Sequence, residues 1–170
     1  ILGFSWCLVP KDIDLLKIKS YDNKGELHIP LKLFSFKNSS RVYQKIPDIP
    51  LSKWDVREFS KDINLINSIL PVIYGDRNPS VYMTRNILRL PIDIFGSAFF
   101  MLSRCEELDS NQKDLHNRFP VGDSLADKAG FLNRPIVDEY IEILWTAIKR
   151  LWPSLERKKN KKIFRVTCDV

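Results

Sequence analysis

Apolar residues keep no single period along this chain, and the places where the period changes mark its elements. Between Pro91 and Glu107 the run Ile94-Phe95-Gly96-Ser97-Ala98-Phe99-Phe100-Met101-Leu102 is apolar on almost every side, with Pro91 just outside and Asp93 placed to cap the first turn. This predicts a central helix starting at Asp93 and buried all round, not along one stripe. It runs into Arg104, Glu106 and Glu107, charges that a buried helix tolerates only if they reach water or partners. After Arg134-Pro135 the period is cleaner. Val137, Tyr140, Ile141, Leu144, Ile148 and Leu151 recur at threes and fours, with Asp138 and Glu139 early and Lys149 and Arg150 late, as a helix dipole prefers. A long amphipathic helix should end at Pro153, with Tyr140, Leu144, Ile148 and Leu151 on its buried face.

The remaining apolar runs are short. Gly3 to Val9 alternates and is rich in strand formers, and Leu16–Tyr21 with Glu26–Pro30 flanks Asp22-Asn23-Lys24-Gly25, the signature of a hairpin. His28 alternates with Leu27 and Ile29, which makes it an outward-facing polar residue before a ligand. Ser35 to Lys53 is irregular. Trp54, Phe59, Ile63, Ile66 and Leu70 fit, loosely, one side of a helix beginning near Ser52 or Trp54. Pro71–Gly75, Val81–Thr84 and Ile87–Leu90 suit strands, and Ile163–Val170 is a strand that runs to the last residue. The expected fold is α+β, a mixed β-sheet with a buried central helix and one long amphipathic helix.

Composition narrows this picture only a little. A chain of 170 residues with 44% hydrophobic content supports one domain with a substantial core. The net charge of +6 permits an acidic partner, but Glu156-Arg157-Lys158-Lys159-Asn160-Lys161-Lys162 supplies much of it. That stretch suits a solvated linker better than a nucleic-acid tail, because no aromatic is interleaved to stack on bases. Cys7, Cys105 and Cys168 are widely spaced and suggest neither a disulfide framework nor a zinc site. No long uncharged apolar run is present, so no membrane span is expected, and a cytoplasmic location follows as the default.

Candidate chemistry gathers after the central helix. Arg104, Glu106 and Glu107 are followed by a polar, turn-rich stretch holding Asp114, His116 and Arg118, and carboxylates with a histidine can serve acid–base chemistry or bind a metal. No H-x-x-x-H or H-E-x-x-H is present, so salt bridges holding the loop to the helix end are the stronger expectation. Ser97 and Ser103 have no glycine-flanked elbow and are assigned to packing. Arg77, Arg85, Arg89 and the lysine run define the alternative, a stand-alone basic module for nucleic acid.

The stretch Asp93 to Arg104 with Glu106-Glu107, then His116-Asn117-Arg118-Phe119-Pro120, Arg134-Pro135-Ile136-Val137 and Thr167-Cys168-Asp169-Val170, resembles the N-terminal accessory region of bacterial polysaccharide deacetylase-like proteins of the NodB type. The likeness covers about the second half of the chain and departs at Cys105, where relatives usually carry an aromatic. It implies an accessory domain over residues 1–155, a basic linker at 156–162, and at 163–170 the first strand of a downstream deacetylase barrel. Asp169 then matches the first aspartate of a metal-binding pair. The parent would be a hydrolase removing acyl groups from a bacterial surface or capsular glycan, with a divalent metal held mostly downstream. This chain alone would carry no cofactor and no catalysis, and its partners would be the downstream domain and a glycan.

Overall fold

The computed structural model describes residues 14–20, 25–35, 46–108 and 110–158. The expected strands at Gly3–Val9 and Ile163–Val170, the hairpin tip at 21–24, most of the lysine run and Asp169 lie outside them. The fold is α+β. Strands β1 (Leu15–Lys19), β2 (Glu26–Pro30), β5 (Tyr82–Met83) and β6 (Ile87–Arg89) form a mixed sheet in the order β1-β2-β6-β5. The β1–β2 and β5–β6 pairs are antiparallel, whereas β2 and β6 run parallel. Leu27, Ile29 and Leu88 alternate onto one face and are completely buried, as a sheet covered on one side requires.

That side is covered by α3 (Ile136–Leu151), which lies against β2 and against α1 (Ile94–Ser103). Tyr140, Leu144 and Ile148 are buried as the spacing predicts, but Leu151 is only half-buried, and Ile143 and Ala147 are completely buried instead. The buried stripe is thus rotated toward 136-140-143-147. Two neighbours fix the rotation: α1 on one flank, and on the other the segment between β3 (Ser52–Asp55) and β4 (Ile69–Val72).

Those two strands correct the helix expected from Ser52. They pair antiparallel, with Trp54 opposite Leu70, and a single 3₁₀ turn at Val56–Glu58 follows β3. Trp54, Phe59 and Leu70 do reach the core together, but across strands and not along a helix, while Ile66 stays 67% exposed. A loose apolar spacing fits either geometry, and only the partner strand decides between them.

The helix α1 corrects a second expectation. Ile94, Gly96, Ser97 and Phe100 are buried, yet Phe95, Phe99 and Leu102 are 40%, 44% and 74% exposed. These three, spaced four and three apart, form an apolar stripe facing away from the core, with Phe99 edge-on to Phe34 at 5.2 Å between ring centroids. Absence of polar residues on a helix therefore does not prove that every face is covered.

Candidate functional site

The N-terminus of α1 is placed by the strand segment before it. Asp93 N–H donates to the Tyr74 carbonyl at 2.9 Å, Asp76 N–H donates to the Pro91 carbonyl at 2.9 Å, and a bridge joins Gly75 to Ile92. Gly75 is needed for that approach, since a Cβ there would lie 2.4 Å from the Pro91 oxygen. Asp93 itself is completely buried. Its carboxylate accepts from Gly96 N–H at 2.8 Å as a helix cap, and from Lys32 and Leu33 N–H at 2.7 and 2.9 Å. Burial pushes this carboxyl above the usual carboxylate range, while the three backbone donors pull it down. Gly96 lets the 31–33 segment come so close, because a Cβ would meet Asp93 Oδ2 at 2.4 Å and Leu33 Cβ at 2.7 Å. One helix cap thus also fastens the chain leaving β2.

The other end of α1 is chemically different. Arg104 adopts the left-handed conformation at φ 52°, turning the chain out of the helix, and its exposed guanidinium pairs with Glu107. Glu106 reaches elsewhere and accepts from Leu125 N–H at 2.7 Å, at the start of the short helix α2 (Leu125–Lys128). His116 and Arg118 belong to a separate turn organised by Asp114. Its carboxylate accepts from both of their backbone N–H groups at 2.8 and 2.9 Å, and from the Arg118 side chain at 3.0 Å. These bonds hold the Asp114 carboxyl below the usual range, with the Arg118 N–H as the largest cause. The residues expected to meet therefore divide into the Arg104–Glu107 pair, the Glu106 contact with α2 and the Asp114–Arg118 turn, and no hydrogen bond or ion pair joins His116 or Arg118 to the helix end. Of the serines, Ser97 is buried and its Oγ accepts from Tyr74 N–H at 3.2 Å, while Ser103 donates to the Phe99 carbonyl.

The strongest polar contacts fall on residues that pattern reasoning had assigned to helix start and dipole. Glu139 is 3% exposed on the buried stripe of α3 and forms a two-pronged pair with Arg134 at 2.9–3.0 Å. Arg134 also donates to the Ile69 and Asn67 carbonyls at 2.8 and 3.0 Å, and Glu139 accepts from Ile66 N–H at 3.0 Å. Further along the helix, Tyr140 Oη donates to the Pro71 carbonyl at 2.7 Å and accepts from Ile73 N–H, and Arg150 donates to the Phe59 carbonyl. Burial pushes the Tyr140 phenol strongly up, so it stays protonated and donating. One sequence signal was available: Glu139 stands three residues from Ile136 and four from Ile143, on the apolar stripe itself.

Of the basic residues behind the nucleic-acid alternative, Arg89 is committed to Asp76 by two bonds of 2.6 and 3.1 Å, while Arg77 and Arg85 are exposed. Among the described residues, no three His, Cys, Asp or Glu side chains come together in a way that could hold a metal ion. Asp169, the one residue that the resemblance assigns to a divalent metal, lies outside the described residues. Also among the described residues, no helix is long and apolar enough to cross a membrane.

These contacts define an α+β domain whose buried polar groups tie its own backbone together. The chain belongs to a family of unknown function (DUF7033), which it matches over residues 13–153. No curated protein and no solved structure matches it.

Proposed function

We propose that this chain is the non-catalytic N-terminal domain of a polysaccharide deacetylase, acting on a bacterial surface or capsular glycan, and that it positions the downstream catalytic domain. The observation that supports the reading is the partly exposed apolar stripe Phe95, Phe99 and Leu102. It lies on α1, the helix whose residues carry most of the resemblance, and contiguous exposed apolar surface of this kind marks contact with another body. A covalently attached domain suits such a stripe, because tethering supplies the effective concentration that a small interface lacks. The divalent metal and the remaining ligands belong, in this reading, to the downstream domain. A cytoplasmic location is part of the proposal, and fractionation of cells expressing the longer protein checks it.

The test joins the chain to its downstream domain. The longer protein should release acetate from an acetylated glycan, and the present chain should release none. Leu102→Asp alters a side chain that the fold leaves exposed, so the isolated chain should melt unchanged while the longer protein loses domain docking and part of its activity. Deacylation by the present chain alone, or a longer protein indifferent to Leu102→Asp, would overturn the reading.

A further inference from the structure

The mixed sheet has a second face, turned away from α3, on which Lys17 and Tyr82 are exposed at the two edges while the His28 and Arg89 side chains between them are 13% and 30% exposed. Leu27, Ile29 and Leu88 point into the core, so their neighbours in each strand point the other way. Register then sets Lys17, His28, Arg89 and Tyr82 side by side, one from each strand, because Lys17 pairs with His28, His28 with Arg89, and Arg89 with Tyr82. At ordinary strand spacing the row is about 14 Å long. The adjoining row holds Lys19 opposite Glu26.

The charges on this face do not cancel. Glu26 is held between Lys19 at 2.6 Å and His28 at 2.8 Å, and Asp76 by Arg89, with Lys32 at 3.9 Å. Lys17 and, in the β5–β6 turn, Arg85 are exposed and form no ion pair with a described residue. Lys17, Lys19 and Arg89 on this face, with Lys32 beside Asp76 and Arg85 in the adjoining turn, thus outnumber Glu26 and Asp76. At the sheet edge Tyr82 is 58% exposed and directly opposite Arg89, offering a ring face beside the cations.

We infer that this sheet face binds an acidic glycan, with Lys17, Arg85 and the Arg89 row facing its carboxylates and Tyr82 stacking on the apolar face of a sugar ring. The inference rests on the glycan reading above and adds the charge class of the polymer. Charge complementarity selects an anionic occupant. A single exposed aromatic at the edge of the row favours a sugar polymer over nucleic acid, whose single strands stack successive bases on several rings.

Calorimetric titration of the purified chain with polygalacturonate, neutral dextran and oligothymidylate tests it. Polygalacturonate should bind, more weakly as salt rises; dextran should not; and oligothymidylate should bind less tightly than polygalacturonate. Lys17→Glu and Arg85→Glu should each weaken polygalacturonate binding by about tenfold, a change of about 1.4 kcal/mol. Tyr82→Ala should weaken it several-fold with no change in charge, and Lys113→Glu, in the loop after α1, should have no effect. Tighter binding of oligothymidylate, equal effects of Lys17→Glu and Lys113→Glu, or no effect of Tyr82→Ala would each overturn the acidic-glycan assignment. Deacylation by the longer protein without polygalacturonate binding here would defeat this inference alone. Binding here with a longer protein that deacylates nothing would defeat the accessory-domain reading and leave the sheet face standing.

Discussion

The beginning of α3 and the loop after α1 both place an arginine beside a carboxylate, yet they do opposite work. Arg134 and Glu139 have side chains 13% and 4% exposed, and their spare hydrogen bonds go to residues 66–69, far away in the sequence. Arg118 and Asp114 are 71% and 30% exposed, and close a turn of five residues on itself. The first pair joins three parts of the fold, whereas the second only shapes a surface loop. Charge density along the chain points to the second, but burial and long-range partners decide which pair matters for stability.

The largest effect that sharpens this contrast is expected at Glu139. Glu139→Ala leaves the Arg134 guanidinium buried without its carboxylate and the Ile66 amide without its acceptor, and should cost about 3–5 kcal/mol in chemical denaturation. A loss under about 1 kcal/mol would put the two pairs in the same class. Arg134→Ala should fall close to the same value, and the double variant should cost far less than the sum, because both members act as one unit.

Next comes the Asp93 cap, a buried carboxylate without a buried cation. Asp93→Ala frees three backbone donors, two of them sixty residues away, and should cost about 2 kcal/mol or more. Gly96→Ala approaches the same contact from the other side and should also destabilise, since the carboxylate must move to admit the methyl group. If Gly96→Ala melted like the parent protein, residues 31–33 would not approach α1 closely enough to exclude a methyl group.

The exposed pair should barely register. Arg118→Ala is expected to change stability by under about 0.5 kcal/mol, the usual scale for a solvated ion pair, and a melting curve displaced by many degrees would erase the contrast.

The smallest effect is a pH dependence at the sheet. Lys19, and after it His28, hold the Glu26 carboxyl down at about 2, against 4.5 unperturbed. Because the folded value is the lower one, the contribution is present above pH 4.5 and fades as pH falls toward 2. Solvent and salt screen it, so Glu26→Gln should reduce the acid sensitivity of unfolding slightly, and less so at high salt. An acid limb that Glu26→Gln left untouched would remove Glu26 from the account.

Much of the local structure was legible along the chain. Proline and aspartate before Ile94 marked the start of α1, the threes and fours after Pro135 gave α3, and strict alternation around His28 placed it on the outer face of β2. The candidate polar residues were legible as residues but not as a group. Arg104, Glu106 and Glu107 adjoin one another in sequence, and that proximity carried no information about His116 and Arg118.

What the sequence determined by itself is whatever depends on neighbours within one turn or one strand: the helix caps, the periods, the α+β class and the outward placement of His28 in β2. Tertiary structure alone decided that residues 52–55 and 69–72 pair as strands, that the buried stripe of α3 includes Ile143 and Ala147, and that Phe95, Phe99 and Leu102 face away from the core. It also decided that Glu139 is an internal ion-pair partner and not a dipole-facing surface charge. The physical reason is the same in each case. Local propensities set what a segment can form, but burial and hydrogen-bond satisfaction depend on which distant segment arrives beside it, and no period along the chain encodes that arrival.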